Sequence, residues 1–406
     1  MHELVNSPEL QAAMTAWRRE IHQHPETAFQ EHRTAAFVVE RLKAFAAESG
    51  TPIAIESGIA GTGVVATIEG KTPNKPADDP GALHEGRDRF KAVALRADLD
   101  ALPMSEANDF AHRSQNDGRM HACGHDGHTA MLLGAARHLA HTRDFRGVVH
   151  LIFQPAEENE GGGRAMIADG LFDRFDVDAV FGLHNWPGLA TGKIAVQAGP
   201  VMAAFDNFDI TLIGRGGHAA MPHQSVDPVV LAAQVIQAFQ SLVSRGDPLD
   251  PVVISVTQLA AGDAYNIIPD RVHLKGTVRA FQAATRDRIE AAMGRTLAGL
   301  CEAAGASFEF DYGRRYPPTV NTRRESSFVA EVVRDLFGEE ALVTDYPPSM
   351  GSEDFSFMLE QRPGCYVKLG AGPGPGLHNP RYDFNDEILM TGAAFWVGLV
   401  ERCLKL

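Results

Sequence analysis

Cysteine and histidine stand two residues apart, at Cys123 and His125, in the run HACGHDGH that spans residues 121–128. A thiolate and an imidazole presented together suit zinc-like metals better than magnesium or calcium. With Gly124 between them in an extended turn ahead of a helix, both side chains can point the same way. A buried free cysteine beside a histidine-rich helix cap would carry the same letters. His121, His128 and Asp126 crowd this cysteine, however, and that crowding favours ligation by Cys123 and His125. Asp126 is then expected to orient a ligand imidazole from behind, while His121 and His128 take supporting roles.

A second cluster lies in QPAEENEGGG, residues 154–163, where Glu157 and Glu158 are adjacent. Two carboxylates directly after an apolar strand are costly to bury without a partner. One of them can ligate a metal while its neighbour, off the metal, moves protons. A solvated acidic loop is the plainer alternative, and it loses force beside HACGHDGH. Two similar pieces of loop, GLHNWP and GLHNP, carry His184 and His378 as further ligand candidates. Asp98 and Asp100 follow another apolar run and could ligate, but Asp100 reads best as an outer carboxylate that supports a ligand.

These residues must be positioned by a common scaffold, and the apolar runs supply one. AVALR (92–96) leads to Asp98 and Asp100, VVHLIF (148–153) to the two glutamates, AVFGL (179–183) to His184, and CYVKL (365–369) to His378. Open α/β sheets bind ligands at the carboxyl ends of their strands, so the clusters read as one site. Helices are expected over residues 8–24, 33–47, 128–141, 163–171, 328–337 and 388–403, and a further strand over 63–69. The β-then-α rhythm implies a mixed, largely parallel sheet flanked by helices. Between its two parts the pattern changes. Strands at 205–213, 252–259, 271–281 and 307–312 alternate with helices at 225–243 and 286–304, which is the βαββαβ order of a ferredoxin-like α+β domain. The expected organisation is a catalytic domain of residues 1–199 and 315–406 with an inserted domain of residues 200–314. Lys71 to Arg89, rich in Pro, Asp, Gly and charge, reads as a surface loop of little functional weight.

Composition agrees with two globular domains. The chain has 406 residues, 44% hydrophobic and 22% charged, more than one core usually supports. A formal net charge of −15 argues against nucleic acid or an anionic membrane as partner. The four cysteines form no CxxC pair, which points to a reducing compartment. No signal peptide and no membrane span are read from the sequence, so a cytoplasmic location is expected.

The motifs also carry a resemblance. LRADLDALP (95–103), HACGHDGHT, QPAEE, GLHNWP, GRGGHAAMPH (214–223), NIIPD (266–270), GTVRAF (276–281), GSEDF (351–355) and GLHNP occur in one order over nearly the whole chain. In this the chain resembles the hippurate hydrolase and indole-acetyl-amino-acid hydrolase branch of the aminoacylase/carboxypeptidase metallopeptidases. The resemblance implies two divalent metal ions per subunit, with Cys123 bridging, His125 and His184 completing one metal, and Glu158 and His378 the other. Zinc is the ligand-based choice, with manganese, cobalt or nickel as alternatives. It implies Glu157 as general base, a homodimer formed through the inserted domain, and His218 of GRGGHAAMPH reaching the partner subunit's active site. In related branches a ligand histidine stands near the position of Asp98.

The implied reaction is hydrolysis of the amide bond of a small N-acyl or N-aroyl amino acid. Glu157 takes a proton from the attacking water and returns it to the leaving nitrogen, and His218 donates to the carbonyl oxygen. A dipeptidase or carboxypeptidase, or an N-acyl-diaminopimelate deacylase, would use the same residues. A non-catalytic metal or solute-binding protein would have no need of Glu157. The amino-acid product carries a carboxylate, for which Arg279, supported by Asn266, is the candidate clamp. Glycines flanking Arg215 are expected to let the backbone turn sharply and project His218.

Overall fold

The computed structural model describes residues 7–72, 90–158 and 160–406. All but Lys71 and Thr72 of the expected 71–89 loop lies outside them. The chain divides into two compact units. The first runs to Gly199 and takes in Val320–Pro347 and Phe357–Leu406; the second comprises Pro200–Thr319 and Pro348–Ser356.

The first unit is built on an eight-stranded sheet in the order Ala54–Ile59, Gly63–Glu69, Val148–Gln154, Ala92–Asp98, Ala179–Pro187, Gly364–Gly372, Ile194–Ala195, Leu342–Val343. Its four central strands run parallel to one another, so their carboxyl ends share one edge. These strands are buried along nearly their whole length, as parallel strands covered on both faces must be. Leu95 and Leu151 pair across two of them and are fully buried. Each such side chain contributes roughly 2 kcal/mol, and the core therefore fixes where the strands end.

Helix Pro8–Gln23 starts as its letters suggest, with Ser7 Oγ accepting from Leu10 N–H at 3.2 Å and proline in the first turn. Helix His125–Thr142 begins three residues before the expected start at 128. The apolar periodicity begins late because the first turn, His-Asp-Gly-His, is polar and yet buried. His125 is thus a helical residue. Strand Ala179–Pro187 extends past the expected end at 183, so His184 lies within the strand and not in a following loop. Strand Ala54–Ile59 and helix Ser356–Gln361 were not expected at all.

The second unit has the strand order Val252–Ala261, Arg271–Ala280, Ala204–Ile213, Ser307–Tyr316, all antiparallel. Phe208, Ile210 and Leu212 face its core in strict alternation. Helix Pro228–Ser244 is capped by Asp227, whose Oδ1 accepts from Val229 N–H at 2.8 Å; it starts later than the expected 225. Helix Ala283–Ala304 completes the βαββαβ order. The expected boundary at 314 cuts through strand Ser307–Tyr316. Segment Pro348–Ser356 also belongs to this unit, because Ala203 N–H donates to the carbonyls of Ser349 and Gly351 at 3.0 Å. No helix among the described residues is long and apolar enough to cross a membrane.

Candidate metal centre

Five donors from distant parts of the first unit meet at the carboxyl edge of the sheet. Cys123 and His125 come from the start of helix His125–Thr142, Glu158 from just past strand Val148–Gln154, His184 from within Ala179–Pro187, and His378 from beyond Gly364–Gly372. Cys123, His125 and His184 present donor atoms all within 4.8 Å of one another, and so do Cys123, Glu158 and His378. Cys123 is common to both trios.

Local structure explains the convergence. Gly124 caps the helix at φ 94°, and a Cβ there would collide with the side chains of Asn185 and Tyr382. Asn185 Nδ2 donates to the carbonyl of Cys123 at 2.7 Å while its Oδ1 accepts from Tyr382 hydroxyl at 2.6 Å. His378 has a φ of 61° and its N–H donates to Ala122 carbonyl at 2.8 Å, which ties the last donor beside Cys123.

The imidazoles are turned by bonds on their far nitrogens. His125 Nδ1–H donates to Asp100 carbonyl at 2.9 Å, and His184 Nδ1–H to Asn185 carbonyl at 2.6 Å. Both leave Nε2 facing the cluster; His125 Nε2 is buried with no hydrogen-bond partner, and His184 Nε2 lies 3.4 Å from Cys123 Sγ. Asp100 does more than support His125. Its carboxylate accepts the N–H groups of Glu157 and Glu158 at 3.0 and 2.9 Å.

A third trio, Asp98, His125 and His128, is also close. Its bonding is already committed. His128 Nδ1–H donates to Asp98 Oδ1 at 2.6 Å, its Nε2 accepts from Asn185 N–H at 2.9 Å, and Arg96 holds Asp98 Oδ2 at 2.7 Å. Asp98 thus anchors His128, which in turn anchors the strand that carries His184.

Electrostatics favours bound cations. Burial, then the charges of Glu158, Glu157 and Asp98, push the Cys123 thiol well above its ordinary range. Against the cost of burial, Asp98 and Asp100 raise His125 to about 10. Burial and the neighbouring His128 hold His184 well below its usual range, and thus neutral. A surplus of buried carboxylate around an unpartnered imidazole nitrogen and a thiol is the environment that divalent ions complete. The donor set fits them.

Asp126 does not behave as expected. Its Oδ2 accepts from His22 Nδ1–H at 2.8 Å, with Arg18 Nη1 3.8 Å away, and it bonds no donor of the cluster. A helical residue next to His125 points its side chain about 100° away around the helix, so Asp126 joins the N-terminal helix instead.

In the second unit His218 and Asn266 lie at one place. Gly217–His218 pairs with Ile267–Ile268, and Ala219 N–H donates to Asn266 carbonyl at 3.0 Å. His218 is exposed, and its Nδ1 accepts from Ala220 N–H at 3.1 Å, which leaves Nε2–H as an outward donor. Gly214 and Gly216 are not in the left-handed region. They are needed because a Cβ would strike the carbonyls of Val226 and Ile268, so close packing replaces the expected sharp turn. Arg279 sits elsewhere on the sheet, half-buried, with its guanidinium 4.1 Å from the Phe205 ring centroid and 3.4 Å from Ser352 Oγ. No acid lies within ion-pairing distance of it among the described residues, although the charge of Asp206 acts on it.

Fold and site together define a metal-dependent hydrolase of linear amides. The chain belongs to peptidase family M20/M25/M40, whose sequence profile matches residues 94–402. A hippurate hydrolase from Campylobacter jejuni is 41% identical over 326 residues, 80% of this chain and 85% of that protein. An N-acyl-L-amino acid amidohydrolase from Geobacillus stearothermophilus is 44% identical over 316 residues, 77% of this chain and 79% of that one. Among solved structures, the YXEP protein of Bacillus subtilis, a dinuclear metal binding peptidase from the M20 family, matches with a TM-score of 0.82 at 32% identity, covering 98% of this chain and 99% of the other.

Proposed function

We propose that the chain hydrolyses N-acyl or N-aroyl amino acids to a carboxylic acid and a free amino acid at a pair of divalent ions. Cys123, His125 and His184 would hold one ion, and Cys123, Glu158 and His378 the other. The observation that carries this reading is the shared Cys123, with two donor trios each closing within 4.8 Å around it. The acyl-amino-acid substrates named for the Campylobacter and Geobacillus relatives, and the dinuclear site named for the Bacillus neighbour, support it. A thiolate with three imidazoles and one carboxylate favours zinc, with manganese, cobalt or nickel tolerated. When bound, such a pair supplies Lewis acidity that activates water and polarises the scissile carbonyl.

The chain's own groups do the rest. Glu157, buried beside the cluster with its N–H on Asp100, takes the proton of the attacking water and delivers it to the leaving nitrogen. His218, with Nδ1 occupied as an acceptor, offers Nε2–H to the developing oxyanion. Arg279 binds the substrate carboxylate; Asn266, expected to support it, lies beside His218 instead and acts with that residue. A guanidinium stacked on Phe205, with one hydroxyl as its hydrogen-bond partner, retains donors for a planar anion.

The working unit is a homodimer formed through the second unit. Val229, Val230, Leu259, Tyr265 and Ile267 are exposed there, and strand Val252–Ala261 ends the sheet with an unpaired edge among the described residues. Large apolar side chains and an open edge both invite a second copy. All four cysteines are unpaired, which suits a reducing compartment such as the cytoplasm. The test is a screen of N-acyl amino acids against dipeptides, with metal analysis of the same preparation. Turnover of dipeptides alone would overturn the substrate assignment.

A further inference from the structure

Glu31 is fully buried, and no step above uses it. It stands at the start of helix His32–Ser49, 125 residues from Ala156 in sequence. Its Oε1 accepts the N–H of Ala156 at 2.9 Å and that of Phe29 at 3.0 Å, and its Oε2 accepts the hydroxyl of Thr62 at 2.6 Å. Ala156 immediately precedes the two glutamates and has a φ of 52°, a left-handed conformation that a residue with a Cβ rarely adopts. The next two amides, of Glu157 and Glu158, donate to Asp100. Three successive N–H groups therefore end on two buried carboxylates. That arrangement fixes the backbone at the point where one glutamate side chain must stay off the metal and the next must go to it.

We infer that Glu31 is a positioning residue for the reaction: by accepting the Ala156 N–H it holds the left-handed turn that sets the directions of Glu157 and Glu158. This rests on the reading of Glu157 as the proton carrier. Burial and the charge of Asp100 raise Glu31 to about 7, against the Thr62 bond that lowers it. A buried carboxylate facing another is a cost that a neutral acceptor of the same shape would avoid.

Three variants of the full-length, metal-loaded protein test the inference. Glu31→Asp keeps the charge but withdraws the acceptor by one methylene, beyond reach of Ala156. At saturating metal its kcat falls about tenfold or more, as misplacement of a catalytic group by roughly 1 Å does, with KM unchanged. Glu31→Gln keeps an oxygen at the Ala156 N–H and recovers most of that loss, which a role for the charge itself would not allow. Adding Ala156→Gly to Glu31→Asp restores kcat, because glycine adopts positive φ without strain. A Glu31→Asp enzyme with wild-type kcat, or a deficit that Ala156→Gly leaves untouched, overturns the inference. Glu157→Gln is assayed alongside. If that variant turns over normally the base assignment fails, whereas a dead Glu157→Gln with an unimpaired Glu31→Asp sinks only the role of Glu31.

Discussion

Cys123 Sγ lies 3.4 Å from His184 Nε2, although 61 residues separate them in sequence, and both are tied to Asn185. Neither group can relieve the other's burial, because the thiol is pushed up and the imidazole held neutral. Bound cations resolve this, so activity requires metal. Strong chelation should abolish amide hydrolysis and a divalent salt should restore it. Because one thiolate serves both trios, Cys123→Ala should lose most of both ions in elemental analysis, not half. Full activity in metal-free protein would refute the assignment.

The adjacent glutamates are expected to fail differently. Glu157→Gln should keep its metal and lose roughly 10²-fold or more in kcat, the usual scale for a lost proton carrier. Glu158→Gln should lose metal as well as turnover, since it removes a donor of the Cys123, Glu158 and His378 trio. Equal metal content in both variants would mean that the two roles are shared or reversed.

Arg279 leads to a prediction about substrates. Charge-assisted hydrogen bonds are worth roughly 1.5–3 kcal/mol, or about 10- to 100-fold in kcat/KM. An N-acyl amino acid amide should therefore be worse than the free acid by about that factor. Arg279→Lys should lose much of the preference, because an ammonium lacks the planar fork. Equal kcat/KM for acid and amide would remove the case for a clamp.

Much of this site was legible in sequence because its letters are rare and chemically distinctive. A cysteine, several histidines and paired glutamates after apolar runs mark themselves, and the fold brings them to one edge of the sheet. The inserted βαββαβ order was legible because strand Ala204–Ile213 alternates cleanly. What was hidden depends on three-dimensional proximity. Glu31 looks like any surface glutamate until Ala156 is seen against it. Asn185 and Tyr382 occupy the space that only a glycine at 124 leaves to them. Asp126 turns to His22 and away from the cluster, because adjacency in sequence does not mean a shared face on a helix. Segment Pro348–Ser356 carries no periodicity that would link it to the second unit.

The buried network behind Asp126 predicts a pH dependence of stability. His22 donates to Asp126 and, at 3.3 Å, to Glu106, with Arg18, His112 and His121 as its other charged or titratable neighbours. Burial opposes its charge, but the two carboxylates prevail and raise it from 6.5 to about 9. Its folded value lies above its unfolded one. The linked stability, on the order of 3 kcal/mol, is thus fully present below pH 6.5, declines above it and is gone once pH exceeds about 9. His22→Gln should lower Tm most at pH 6 and least near pH 10. A gap in Tm that stays constant over that range would contradict the charged histidine.

The last prediction concerns the subunit that supplies His218. Its ring is exposed, and the Ala220 N–H bond fixes its tautomer with Nε2–H outward. A donor of this kind acts mainly on charge that develops in the transition state, so His218→Ala should reduce kcat far more than it raises KM. The alternative is local packing, in which His218 merely ends the short pairing with Ile267. Subunit exchange separates the two. His218→Ala and Glu157→Gln homodimers should each be nearly inactive. If His218 serves the partner subunit, a mixed dimer contains one site that lacks both groups and one in which both are intact. Mixing the two proteins under conditions that exchange subunits should then restore activity, toward half of the wild-type value per mixed dimer. If His218 serves its own chain, every site in the mixed dimer lacks one group and no activity returns. Proven exchange without recovery would therefore place His218 in its own subunit's chemistry or outside the reaction.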